Sequence, residues 1–132
     1  MMQSGVNTAL PCVLLYGLPR DTHAGGAARA VFTGLGATVR EVAPEQLLCP
    51  VGALAGCGGP FGPRFFGKAP EEPVLVMAGF SRAMLDAALG ALRKSGVSIP
   101  LKAMLTPHNQ DWSMLELIGE LRREHAAMHP NV

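Results

Sequence analysis

Ser81 has the best local context for covalent chemistry. Gly79-Phe80-Ser81-Arg82-Ala83 follows the nucleophile-elbow pattern G-x-S-x-G up to its last position, where alanine replaces glycine. It also falls where an apolar run gives way to helix-period residues, which is the strand-turn-helix setting that the motif needs. A serine there attacks a carbonyl when a histidine takes its proton and an acid orients that histidine. Asp111 with His108 or His125 could complete such a set. The same hydroxyl serves equally as a helix cap, and capping is the expected role, so Ser81 is kept only as the alternative catalytic residue and no other is assigned.

Three further constellations fail on context. Gly62 to Lys68 has the phosphate-loop spacing G-x-x-x-x-G-K, but Ala69 replaces the magnesium-binding hydroxyl, Pro63 removes an amide donor and Pro70 blocks the following helix. His125 and His129 are four apart, as a metal pair on one helix face would be, yet no third ligand accompanies them. Cys12, Cys49 and Cys57 lack any C-x-x-C or zinc spacing. No metal and no cofactor are expected, and the three thiols read as bystanders in a reduced, cytoplasmic protein.

The elements that position these residues can be read from periodicity. Val13 to Tyr16 and Val74 to Met77 are unbroken apolar runs, each followed by glycine and then by a helix-period stretch: Ala24, Ala28, Val31, Phe32 and Leu35 in the first case, Met84, Leu85, Ala88, Leu89 and Leu92 in the second. Gly36 and Gly96 stand where a left-handed helix stop is expected. Val39 to Val42 and Leu101 to Leu105 then form second strands that admit charge. Ser113-x-x-Glu116 is a capping box for a last helix, with Trp112 as its staple. Its first-half counterpart is short and broken at Pro50.

These patterns predict one domain over residues 1–132, made of two similar β-α-β-α halves (about 11–54 and 74–126) with helices on both sheet faces. The sheet is expected to be small, mainly parallel and four-stranded, in the order 2-1-3-4, because strand-helix-strand alternation implies parallel crossovers. A ferredoxin-like α+β arrangement is the alternative. Residues 55–73 form the bridge, with five glycines and four prolines, a density that excludes a regular element. Three of the five phenylalanines, Phe61, Phe65 and Phe66, lie in it, suited to lining the core, closing over the sheet or meeting a partner.

Composition narrows the partners. Eleven basic and ten acidic residues give a net charge of +1 with no basic run longer than two, which argues against nucleic acid. No apolar stretch approaches the roughly 20 residues of a membrane span. Low charge and the apolar bridge admit a homodimer. In a parallel sheet, ligands bind outside the carboxyl ends of the strands where connections diverge, so Gly17, Gly79, Phe80, Ser81, Thr106 and Asn109 are the expected contacts for a small molecule or protein partner.

The segment from Val74 to Glu124 carries Gly79-Phe80-Ser81, Pro100-Leu101-Lys102-Ala103, Thr106-Pro107-His108-Asn109 and Trp112-Ser113. On these residues it resembles a small bacterial domain of unknown function, family 3783, and residues 50–56 resemble the segment that precedes the domain. The resemblance implies no activity. It adds Lys102 and Trp112 to Thr106 and Asn109 as residues to follow, while His108 departs from the small hydroxyl residue expected there.

Overall fold

The structure, a computed structural model, describes residues 11–56 and 62–128. Cys57, Phe61 and His129, named above, lie outside them. The two apolar runs are β1 (Cys12–Tyr16) and β3 (Val74–Ala78), buried at every residue. The charge-bearing runs are β2 (Thr38–Glu41) and β4 (Leu101–Met104), each partly exposed. The order across the sheet is β2-β1-β3-β4. Strands without charge take the centre, where both faces are covered, and strands with Arg40, Glu41 or Lys102 take the edges.

The direction of the central pair corrects the expectation of a mainly parallel sheet. β1 pairs with β2 and β3 with β4 in parallel, but β1 and β3 are antiparallel, with Cys12 opposite Ala78 and Tyr16 opposite Val74. The sheet is mixed, and the wholly antiparallel alternative is not formed either. The reason lies in the bridge. Its described part, residues 62–73, has no helix that could carry a crossover, and it enters β3 beside Gly17, at the carboxyl end of β1. A strand that starts there has to run the other way.

Reversing one central strand also sorts the helices. A right-handed crossover from each of two antiparallel strands, leaving toward opposite edges, puts both crossover helices on the same face. Accordingly α1 (His23–Gly34) and α3 (Arg82–Lys94) share one apolar layer: Phe32 and Ala28 of α1 and Ala88 and Leu92 of α3 pack over Val13, Leu15, Leu75 and Met77. The carbonyl of Ser95, just past α3, meets Nε2 of His23 at 3.0 Å. Alternate residues of the same strands, Cys12, Leu14, Tyr16, Val74, Val76 and Ala78, face the other layer. It contains α2 (Val51–Leu54) and α4 (Met114–Met128), the latter contributing Met114, Leu117, Ile118 and Leu121.

That second layer is tied by main chain as well as by apolar contact. The amides of Leu115 and Met114 donate to the carbonyls of Leu47 and Cys49 at 2.8 and 3.0 Å, and those of Val51 and Gly52 donate to Trp112 and Gln110, each at 2.8 Å. The expected caps form too. Ser113 Oγ accepts from the Glu116 amide at 3.1 Å while the Glu116 carboxylate accepts from the Ser113 amide at 2.9 Å.

A cleft at the carboxyl ends of β1 and β2

Because β1 and β3 are antiparallel, the sheet has no common carboxyl edge. Gly17 leaves one edge and Gly79 the opposite one, about 20 Å away at roughly 3.3 Å per strand residue. The residues expected to converge therefore divide into two groups.

Gly79, Phe80, Ser81, Thr106 and Asn109 stay together, since β3 and β4 are parallel. Their polar groups are engaged locally. Ser81 caps α3, its Oγ accepting from the Met84 amide at 3.1 Å, and no histidine or carboxylate hydrogen-bonds it among the described residues. Asn109 Oδ1 accepts from the Thr106 amide at 2.9 Å, Thr106 Oγ1 accepts from the Asn109 amide at 3.1 Å, and Asn109 Nδ2 donates to the Met104 carbonyl at 3.0 Å. Phe80 packs its ring on Phe32, 5.9 Å between centroids. Lys102 donates to the Ile99 carbonyl at 2.5 Å. Trp112 meets the His108 ring edge-on at 5.3 Å and lies against the layer of α2 and α4.

Gly17 lies at a cleft of about 730 Å³. Its walls are the exits of β1 (residues 16–19) and β2 (41–44), and its third side is the end of the bridge, residues 69–71. The local sequence explains the shape. Gly17 has φ +70, and a Cβ there would lie 3.0 Å from the Glu72 carbonyl oxygen, so only glycine lets the bridge pass this close. Pro19 and Pro70 keep two of the walls out of regular structure, and Pro44 ends the third by opening a short 3-10 turn, Pro44–Gln46. In its described part, residues 62–73, the bridge is fastened by the Phe65 amide donating to the Glu45 carbonyl at 3.1 Å, by Arg122 of α4 pairing with Glu72 at 2.9 Å, and by the Tyr16 hydroxyl donating to the Pro70 carbonyl at 2.5 Å. Phe65 packs on the core, whereas Phe66 is 84% exposed.

Tyr16 is buried, and burial, followed by the charges of Glu72 and Glu71, pushes its phenol above the ordinary value of 10.0. The folded chain thus keeps this proton at pH values where the unfolded chain releases it. Stability should be unaffected by this group below pH 10 and should fall as pH rises from there through the raised folded value. Tyr16→Phe is expected to cost about 1 kcal/mol at neutral pH, through the lost bond to Pro70, and to flatten that alkaline decline. Urea midpoints between pH 8 and 11 check both effects; an equally steep decline in the variant would exclude Tyr16 as its source.

Glu41 lines the cleft and Arg29 lies behind it, bonded to the cleft residue Leu18 and paired with Glu41; neither was singled out by sequence reasoning. Arg29 lies in α1, and its Nη1 donates to the carbonyls of Leu18 at 2.8 Å and Gly25 at 3.1 Å. Its Nη2 is 3.3 Å from Glu41 Oε2. A pair with a half-exposed carboxylate is worth only about 0–1 kcal/mol. Of the two anchors at this cleft that sequence reasoning passed over, each carried a signal: Tyr16 is the only tyrosine and ends an apolar run, and Arg29 is the one arginine in an alanine- and glycine-rich helix.

Residues 73–128 match the model of a domain of unknown function, DUF3783. This segment is a DUF3783-like domain. It holds β3, α3, β4 and α4, and with them the polar turns at Ser81 and Asn109. The cleft walls, by contrast, come from residues ahead of the DUF3783-like segment. Neither a curated protein nor a solved structure matches the chain.

Proposed function

We propose that the protein is a non-catalytic binding module that takes a small organic molecule in the cleft between the ends of β1 and β2 and the bridge. The observation that carries this reading is the cleft itself. Its volume of about 730 Å³ falls within the roughly 300–1,000 Å³ of small-molecule sites. Its surface combines apolar Leu18, Val42 and three prolines with few polar groups, Glu41 and Glu71 among them. The turns at Ser81 and Asn109 support the reading from the other side, because their hydrogen bonds are spent on holding the backbone. Cys12 and Cys49 are buried thiols, which suit a reduced, cytoplasmic setting. No helix among the described residues is long and apolar enough to cross a membrane.

Amide resonances of the ¹⁵N-labelled chain, recorded against pools of small metabolites at millimolar concentration, test the proposal. The amides of Gly17, Leu18, Val42 and Ala43 should move together while those of Ser81 and Asn109 stay. Shifts gathered at Ser81 and Asn109, or none with any pool, would count decisively against the cleft.

A further inference from the structure

Within the reading of the cleft as a ligand site, on which this step rests, we infer that Arg29 is the receptor for a ligand carboxylate and that Glu41 holds that place in the free protein. The guanidinium is fixed from one side only, by the two carbonyls that take Nη1. Its other edge, Nε and Nη2, is buried, and among the described residues no protein atom accepts a hydrogen bond from either nitrogen. Those two adjacent N–H groups form the edge that grips a planar carboxylate in two-pronged fashion. Buried donors ordinarily have acceptors, so two unsatisfied N–H groups behind the half-exposed Glu41 carboxylate are a place for one once that carboxylate moves aside.

Glu41 shows what fits. Its Oε2 is close enough to Nη2 to pair charge, at 3.3 Å, but too far off the N–H direction to hydrogen-bond. The Glu41 side chain is 56% exposed and that of Arg29 13%, so the carboxylate can swing into water while the guanidinium stays in place. Both Leu18, which anchors Arg29, and Glu41 line the cleft. A ligand monocarboxylate would replace the Glu41 charge one for one. A phosphate dianion would bring an extra negative charge toward Glu41 and Glu71. The ligand class is therefore a small monocarboxylic acid whose apolar body lies on Val42, Pro44 and Pro70.

The Arg29 Nε–H resonance of the full chain reads this directly, with hexanoate, hexylamine and inorganic phosphate as probes. Hexanoate should move that resonance together with the cleft amides. Glu41→Gln, which removes the internal competitor, should tighten hexanoate about tenfold, and Arg29→Lys should weaken it at least tenfold. If Arg29→Lys does not fold, the Nε–H shift and the Glu41→Gln affinity decide between them. Cleft amides that respond to hexylamine or hexanoate with a stationary Nε–H would overturn the Arg29 assignment and leave the cleft reading standing. An Nε–H that answers to phosphate alone would overturn the carboxylate class, and silence of the cleft amides and of Nε–H to every probe would remove both.

Discussion

Gly25→Ala should destabilise the protein by about 3 kcal/mol or more, the upper range for overpacking a closed site. A Cβ at this position would lie 1.9 Å from the Pro19 carbonyl oxygen and 2.9 Å from that of Leu18. Both obstacles are backbone, so no side-chain rotation relieves them, and α1 would have to lift away from the exit of β1. Gly26, one residue on, behaves oppositely. Its nearest neighbour to an added Cβ is the Arg20 carbonyl oxygen at 3.5 Å, an ordinary contact, and it is exposed. Gly26→Ala should therefore stabilise by about 0.5–1 kcal/mol, the usual gain from alanine in a helix. Paired urea titrations of the two variants suffice as a check, and equal effects of the same sign would show that helix propensity and not close approach governs this turn. The sequence alone assigns the two glycines the same cost; only the depth at which α1 rests on residues 18 and 19 separates them.

Phe32→Ala should cost about 3–5 kcal/mol, the range for deleting a buried aromatic ring. Phe32 is fully buried, and its partner Phe80 belongs to the other strand-helix-strand unit, the rings being tilted by 60° at 5.9 Å. Phe80 is only partly buried, so Phe80→Ala should cost less. The double variant should reveal a coupling of about 0.5–1.5 kcal/mol beyond area burial. Chemical denaturation of the four proteins completes the cycle. Strictly additive losses would mean that the rings share a layer without acting on one another. This contact exists because β1 and β3 are antiparallel: a parallel central pair would place α1 and α3 on opposite faces, with the sheet between the two rings.

Much of the fold was legible in local patterns. Unbroken apolar runs identified β1 and β3 as central, charge marked β2 and β4 as edges, and the caps at Ser81 and Ser113 were visible as hydroxyls ahead of helix-period residues. The relative direction of β1 and β3 was not legible, because a strand covered on both faces has the same apolar sequence whichever way it runs. What decides the direction is where residues 62–73 deliver the chain, and that depends on Gly17 and on the fastenings at Glu45, Tyr16 and Arg122. The site followed from the same misread direction. Gly17 does line a cleft, but the residues across from it are Glu41, Val42 and Pro70, not Gly79 and Ser81.

The antiparallel central ladder also bears on how fast the chain reaches its native state. Each outer strand pair is joined through a single helix, whereas β1 and β3 unite positions about sixty residues apart. Closing so long a loop is charged in entropy before any ladder bond repays it, and topologies dominated by such distant pairings fold more slowly than local ones. The two strand-helix-strand units can organise early on their own short connections. The ladder from Cys12–Ala78 to Tyr16–Val74 is therefore expected to form last, with docking of the two units as the slow step of folding.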